Sequence, residues 1–220
     1  RLEFLYGNRS ADTYNWDQRY YALLDPELIN ATPDNQRYIN HPELSQYYMA
    51  NREQEQGKLD VTWLPADNWH LNFNLLVRND DYDQTYTGLR YAYWERYHLS
   101  ASYNPSADIS ATLYGGYDLY ESEQMGRSFR GGAEKNAFAV YPPLPQASDP
   151  SQNWQVNGQD TSITIGTNVQ WQVTPDIEVN FDYNYVDTEA EQDLGTRSTG
   201  NLDATDLPSV NTRLHHVQVS

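Results

Sequence analysis

The feature that most constrains the fold is a strict alternation of apolar and polar residues between Val169 and Asp187. On both sides of a tight turn at Thr174-Pro175-Asp176, every second residue is apolar and its neighbours are polar. Successive side chains of a β-strand point to opposite faces, so this period of two predicts a hairpin with one apolar and one polar face. Each arm has roughly the 9–11 residues with which a tilted strand crosses a bilayer. The stretch therefore predicts a hairpin of a transmembrane β-barrel, with its apolar face toward lipid.

The same strand–turn–strand pattern occurs three times, with turn prolines at Pro65, Pro105 and Pro175. The unequal intervals between these prolines argue against stacked repeats of fixed period. Longer Pro- and Gly-containing stretches (21–44, 126–160 and 194–211) are predicted loops at the other strand ends. Short turns at one end and long loops at the other are typical of outer-membrane barrels. We therefore predict an all-β, antiparallel transmembrane β-barrel, with about eight strands of a larger barrel in this chain. Residues 1–220 are expected to form a single barrel domain, truncated at both ends.

Composition alone favours a different class, the soluble acidic protein. The net charge is -17 and the mean hydropathy is -0.84. Yet the chain has 19 Tyr and 6 Trp beside only 5 Phe, and membrane barrels hide their hydrophobicity in alternation. No run approaches the roughly 18 apolar residues of a membrane helix. The 14 Lys and Arg residues are scattered, which argues against nucleic acid as a partner.

A soluble β-sandwich is the structural alternative, with the apolar face in a core. The distribution of aromatic residues favours the membrane barrel, because they gather near both ends of the strands as interfacial girdles do. The predicted girdle residues are Trp63, Trp69, Tyr103, Trp171, Tyr117, Tyr183 and Tyr185, with Tyr91, Tyr93, Trp94 and Tyr120 as further members at the loop end.

The polar faces of the strands predict a wide lumen. A closed barrel of eight strands fills its interior with side chains, whereas these faces carry mostly small, uncharged polar residues. Such a face suits water or a polar partner, so the whole barrel is expected to have more strands than this chain. The residues predicted to face the lumen, as partner contacts, are Asn72, Asn74, Ser100, Ser102, Thr112, Asn168, Gln170, Asn180 and Asp182.

The sequence contains little that predicts catalysis or metal binding. It has no cysteine, hence no CxxCH haem attachment, and it lacks the common nucleophile and phosphate-loop motifs. A metal site would need the histidines to converge, but His215 and His216 are adjacent and face opposite ways in a strand, and His41 is in a predicted loop. Solvated, lumen-facing histidines are therefore expected rather than metal ligands. The acidic runs 79–83 and 187–193 are calcium candidates with no EF-hand spacing, and solvated loops are the competing interpretation. We expect no enzyme activity, no metal and no cofactor bound by this chain.

Three stretches carry a resemblance to a known family. YYMANREQEQGKLDVTWLP (Tyr47 to Pro65), the segment from Asn79 to Arg127, and LPSVNTRLHHVQVS (Leu207 to Ser220) resemble the C-terminal part of the MtrB/PioB family of decahaem-associated outer-membrane proteins. The resemblance implies an integral barrel of the bacterial outer membrane. That barrel sheathes a periplasmic multihaem c-type cytochrome and supports electron transfer across the membrane.

The resemblance also places haem c on the partner and implies an extracellular multihaem cytochrome as a second partner. A general or substrate-specific porin with a water-filled lumen is the alternative function, and such a channel would show charged rings at a constriction.

Overall fold

The computed structural model describes residues 1–10, 51–82, 88–127, 153–196 and 205–220. These residues form one antiparallel sheet of nine strands, which pair in chain order, and both β8 and β9 lie along β7. The strands are β1 (Leu2–Arg9), β2 (Arg52–Trp63), β3 (Trp69–Asp81), β4 (Gly88–Ser106), β5 (Ile109–Arg127), β6 (Asn153–Thr174), β7 (Ile177–Thr196), β8 (Thr205–Asp206) and β9 (Val210–Val219). The sheet is open, with β1 at one edge and β9 at the other. The predicted all-β antiparallel class is confirmed. Nowhere in the described ranges is there a helix long and apolar enough to cross a membrane.

Short turns close three hairpins at one end of the sheet. They lie at residues 64–68, 107–108 and 175–176, close to the predicted positions. Pro65 and Pro175 lie within turns, where a fixed φ and a missing N–H cost nothing. Pro105 instead lies at the end of β4, beside a register irregularity between Tyr103 and Ser106, where no ladder bond is required. The opposite end of the sheet, here the loop end, holds the strand ends Arg9, Arg52, Asp81, Gly88, Arg127, Asn153 and Thr196.

The strands reach further toward the loop end than the sequence indicated. The predicted loop 126–160 is wrong over Asn153–Asp160, which is the first part of β6 and pairs with β5 as far as Arg127. The alternation there is short, and its apolar residues Trp154 and Val156 lie on the lumen face rather than on the outer face. The predicted loop from Leu194 is likewise wrong over its first residues, since β7 continues to Thr196. The predicted loop 21–44 lies outside the described residues.

Cross-strand pairing gathers the apolar residues on one face. Leu59, Leu75, Tyr97, Tyr117 and Ile163 form one continuous row from β2 to β6. Paired residues share a face, so the face that carries this row, here the outer face, is apolar across all these strands. The opposite face, here the lumen face, carries Asp60, Asn74, His98, Gly116 and Thr164 in the neighbouring row.

No second layer covers the outer face within the described residues. Only Tyr82 and Ala92 are buried hydrophobic residues, whereas Leu99 and Leu113 are 57% and 60% exposed. A contiguous uncovered apolar face of this size requires an apolar surrounding. The β-sandwich alternative needs a core between two sheets, and the described residues provide one sheet.

The apolar band crosses the strands at the angle that a barrel requires. On the outer face of β3 the last apolar residue before the loop end is Val77, whose row continues across the sheet to Asn211 in β9. On β9 the last such residue is Val217, which lies 217 − 211 = 6 residues closer to the turn end. From β3 to β9 the edge of the band therefore moves about 20 Å along the strands, while the five steps between neighbouring strands span about 24 Å across the sheet. The strands are thus tilted by roughly 40° from the direction perpendicular to the band. Membrane barrels tilt their strands by about 35–45°.

Candidate functional site

The candidate functional site is the lumen face of this wall. All nine residues predicted for it lie there: Ser102, Thr112, Asn168 and Asp182 form one row, Asn72 pairs with Ser100, and Gln170 with Asn180. Asn74 lies in the row next to Asn72, opposite Asp60. The structure therefore brings these side chains onto one surface. Their role as partner contacts stays a prediction.

Lateral hydrogen bonds link many of these side chains across strands. The Asn74 amide donates to Asp60 Oδ1 at 2.7 Å, and the Asn168 amide donates to Asp182 Oδ1 at 2.6 Å. The Ser102 and Thr112 hydroxyls are 2.9 Å apart. These bonds hold short side chains against the sheet, so the wall presents a fixed polar surface with little projecting from it.

Two glycines leave the middle of the lumen face with few projecting side chains. A Cβ built on Gly166 would lie 2.3 Å from both Cζ and Oη of Tyr114, so the tyrosine ring covers the space that a side chain would fill. Beside it, His98 Cδ2 would be 3.6 Å from a Cβ on Gly116. His98 and Tyr114 are stacked with ring centroids 6.3 Å apart. Both rings thus lie along the wall rather than across the lumen.

An ion-pair network fixes the lumen face near the loop end. The Asp80 side chain is fully buried and accepts two bonds from the Arg78 guanidinium, at 3.1 Å and 2.5 Å. Gln54 donates to the same carboxylate at 2.8 Å, and Arg52 lies 3.7 Å away. A buried carboxylate is tolerated only with such partners, and a bidentate arginine is the strongest of them. Arg78 is therefore held in one position.

Beside this network the lumen face forms an aromatic basin. Its floor is built by Arg78, whose Cζ lies 4.4 Å from the centre of the Trp94 ring, and by Tyr120, whose ring centre is 4.9 Å from that of Trp94. The concavity has a volume of about 610 Å³ and extends across β5 and β6 to Ser162 and Thr188. Arg96 and Asp118 form an ion pair at its rim. Burial raises the pKa of the Tyr120 hydroxyl above its usual value.

The assignment of Trp94 and Tyr120 to a lipid-facing girdle is therefore wrong. Trp94 pairs with Arg78 and Tyr120, and all three lie on the lumen face. The sequence could have shown this, because Trp94 is three residues from Tyr97 and residues an odd number apart in a strand point to opposite faces.

The seven main girdle candidates lie on the outer face. Trp69 and Tyr103 are neighbours near the turn end, with ring centres 4.6 Å apart. Tyr97 and Tyr117 are paired nearer the loop end, with ring centres 6.3 Å apart. The outer-face rows of the register also contain Trp63, Trp171, Tyr183 and Tyr185. Their interfacial role stays a prediction.

Among the four histidines of the described residues, one departs from the expected lumen location, and His41 lies outside those residues. His215 lies on the outer face, where its Nδ1 is 3.0 Å from the Tyr183 hydroxyl and its ring lies 4.8 Å from that of Tyr185. Its neighbour His216 pairs with Asn184 on the lumen face.

Carboxylates occupy the outer face beyond the apolar band. Ten acidic residues there all lie on the loop side: Glu53, Glu55, Asp81, Glu95, Glu121, Glu123, Asp187, Glu189, Glu191 and Asp193. Much of the negative charge of the chain is therefore outside the barrel wall. Among them, the Tyr93 hydroxyl donates to Glu95 at 3.0 Å. Burial, followed by this hydrogen bond, raises the pKa of Tyr93 to about 12.

The calcium candidates do not assemble into a site in the part of the chain that the structure describes. No three His, Asp or Glu side chains converge there. Asp80 and Asp81 point to opposite faces, and Asp80 is paired with Arg78. The carboxylates of β7 lie at every second residue on one face, so each is about 6.6 Å along the strand from the next. Asp83 lies outside the described residues.

The tilted apolar band, the polar lumen face and the short turns at one end define the wall of an outer-membrane β-barrel. The family described as outer membrane beta-barrel porin, MtrB/PioB, matches residues 1–220. The chain belongs to this family and is an outer-membrane protein. It is 27% identical over 192 residues to the outer membrane protein MtrB of Shewanella baltica, a match that covers 72% of this chain and 28% of that relative. The chain thus corresponds to less than a third of the length of that relative.

Among solved structures, the chain is similar to the ferric yersiniabactin uptake receptor FyuA from Yersinia pestis. The TM-score is 0.44 and the identity 9%, over 77% of this chain and 24% of the receptor. This likeness is too slight to carry any argument about function.

Proposed function

We propose that this chain is part of a barrel that sheathes a multihaem c-type cytochrome and supports electron transfer across the outer membrane. The proposal follows from membership of the MtrB/PioB family and from the shape of the lumen face, whose short side chains are hydrogen-bonded to one another across strands. Within this proposal the barrel performs no catalysis. Its role is to hold the haem protein in place and to separate the haems from lipid.

The observation that carries the proposal is the flatness of the lumen face around Gly116 and Gly166. A rigid protein inside a barrel needs a wall without projecting side chains, and here Tyr114 and His98 lie along the sheet. Small residues such as Ser100, Ser102 and Thr112 continue this surface. Close approach of two protein surfaces requires such complementarity of shape.

The paired charges of the lumen face also support a protein occupant. Arg78 is bonded to Asp80 and Arg96 to Asp118, and these pairs neutralise one another. A selective channel uses rings of like charge at a constriction. The described part of this wall has ion pairs beside carboxylates that accept bonds from amides, such as Asp182 from Asn168, which suits a polar protein interface.

The haem groups are proposed to belong entirely to the partner. Covalent c-type haem attachment requires cysteines in a CxxCH motif, and this chain has no cysteine. A periplasmic cytochrome in the lumen would carry the electrons, and an extracellular multihaem cytochrome at the loop end would be a second partner.

The proposal is tested on the full-length protein, purified in mild detergent from its native outer membrane. We expect a c-type Soret absorbance that co-elutes with the barrel at a fixed ratio of haem protein to barrel, with the partner identified by mass. A colourless barrel that conducts ions across planar bilayers would contradict the proposal and support the porin.

A further inference from the structure

We propose that the aromatic basin built by Arg78, Trp94 and Tyr120 is the docking point at which the protein inside the barrel is anchored near the loop end. This inference rests on the proposed function and goes further, because it assigns one part of the wall as the main attachment. The occupant is a side chain of the inner protein with an apolar or aromatic body, projecting from a polar surface.

The position of the basin is the first argument. The row Gln56, Arg78, Trp94, Tyr120 and Asp160 lies on the loop side of the row Leu59, Leu75, Tyr97, Tyr117 and Ile163. The basin is thus beyond the part of the wall that faces lipid. Strands β4 to β7 continue past this level, which makes the barrel wall taller than the membrane requires. A wall of this height covers an inner protein that reaches past the membrane.

The chemistry of the basin is the second argument. Residues that dominate protein–protein binding are enriched in Trp, Tyr and Arg, and they lie in pockets surrounded by polar groups that exclude water. Here Trp94, Tyr120 and the Arg78 guanidinium form the floor, and Arg96, Asp118 and Ser162 lie at the rim. The lower part of the lumen face has small polar residues and, among the described residues, the aromatic pair His98 and Tyr114, whose rings lie along the wall.

The rigidity of the basin is the third argument. Asp80 holds the Arg78 guanidinium by two hydrogen bonds, and the guanidinium in turn lies against Trp94. A site whose side chains are already fixed loses less entropy on binding. Both guanidiniums that line the basin have carboxylate partners, and Asp160 adds a further carboxylate, so the basin does not attract a free anion.

The test uses the full-length protein with its bound partner and two variants that change the basin in opposite ways. Trp94→Ala removes the aromatic floor, and Ser162→Trp fills the concavity. Two matched variants act as controls on the outer face: Trp69→Ala, and Ile163→Trp at the residue that follows Ser162. The measurements are the rate of haem-protein release in detergent and the folded fraction, obtained from the gel shift on heating.

We expect both basin variants to release the haem protein about tenfold faster or more, because loss of a central anchor acts mainly on dissociation. The two controls should release it at the wild-type rate. Wild-type release rates in both basin variants would overturn the inference and leave the proposed function intact. If Trp94→Ala fails to fold, the folded Ser162→Trp variant decides between these results. A wild-type barrel without any haem protein would overturn the proposed function and this inference together.

Discussion

At the scale of single residues, two glycines decide how far the lumen wall projects. Gly166 is covered by the Tyr114 ring, and Gly116 lies beneath His98. The value of glycine here is its missing Cβ, because neither residue has a backbone angle that other residues avoid. Sequence alone could not predict the contact between Tyr114 and Gly166, since it depends on the register between β5 and β6.

A methyl group at Gly166 should push Tyr114 away from the wall. We expect Gly166→Ala to destabilise the folded barrel by about 1–3 kcal/mol, the usual cost of overpacking. Truncating the ring as well, in Gly166→Ala with Tyr114→Ser, should recover most of the loss that Gly166→Ala adds. Denaturant unfolding of the four proteins of this double-mutant cycle provides the check. Additive losses would show that the two residues do not touch.

The alternation of faces predicts that substitutions at two adjacent residues of β3 affect retention of the inner protein to different extents. Asn74 lies on the lumen face and donates to Asp60, whereas Leu75 lies in the apolar row of the outer face. Asn74→Leu leaves Asp60 without this bond and puts a larger apolar group into the lumen. We expect it to lower retention of the inner protein more than Leu75→Ala does. Equal retention at equal membrane levels would count against the lumen assignment.

At the scale of strands, the apolar–polar alternation predicted the lipid-facing part of each hairpin but not the continuation of the strands beyond it. Between Val169 and Asp187 one face meets lipid and the other a polar lumen, so the period of two is strong. In Asn153–Asp160 the outer face is polar and the apolar residues Trp154 and Val156 lie on the lumen face, so the pattern of the lipid-facing part is lost although the strand continues. The aromatic basin was missed for a related reason: Trp94 was grouped by its distance along the strand rather than by its face.

The boundary between lipid and water along β6 can be tested with single cysteines, because the chain has none of its own. Gln159 and Thr167 both lie on the outer face, in the acidic part and in the apolar band respectively. We expect Gln159→Cys to react with a membrane-impermeant maleimide on intact cells and Thr167→Cys to be protected. Labelling of both residues to the same extent would contradict the position of the band. Labelling of Gln159→Cys only after the outer membrane is broken would reverse the orientation.

Tyr93 lies in the part of β4 that extends beyond the apolar band, and its protonation can be followed by its absorbance. Its pKa is raised to about 12 by burial and by the hydrogen bond to Glu95. Folding therefore favours the neutral phenol, a contribution that is complete below the usual pKa near 10 and is lost as pH rises toward about 12. We expect the tyrosinate absorbance that Tyr93→Phe removes to develop mainly above pH 11, with a midpoint roughly two pH units higher than that of an exposed tyrosine. A titration of that difference near pH 10 would contradict the assigned environment.

At the scale of the whole molecule, charge is divided between the two sides of one wall. The outer face carries ten acidic residues beyond the apolar band, while the lumen face combines ion pairs, such as Arg78 with Asp80, with carboxylates bonded to amides, such as Asp182 with Asn168. Composition could suggest only an acidic protein, because a single net charge cannot show which face bears it. The fold class followed from periodicity, whereas this division needed the register.

The central claim is that the lumen face meets a haem protein and the outer face meets lipid. The most direct measurement places a photo-crosslinking amino acid in the full-length protein at Ser100 or at its neighbour Leu99, which point to opposite faces of β4. We expect a haem-staining adduct of the barrel from Ser100 and none from Leu99. Haem-staining adducts from Leu99 alone, or from neither position in a barrel that folds normally, would contradict it.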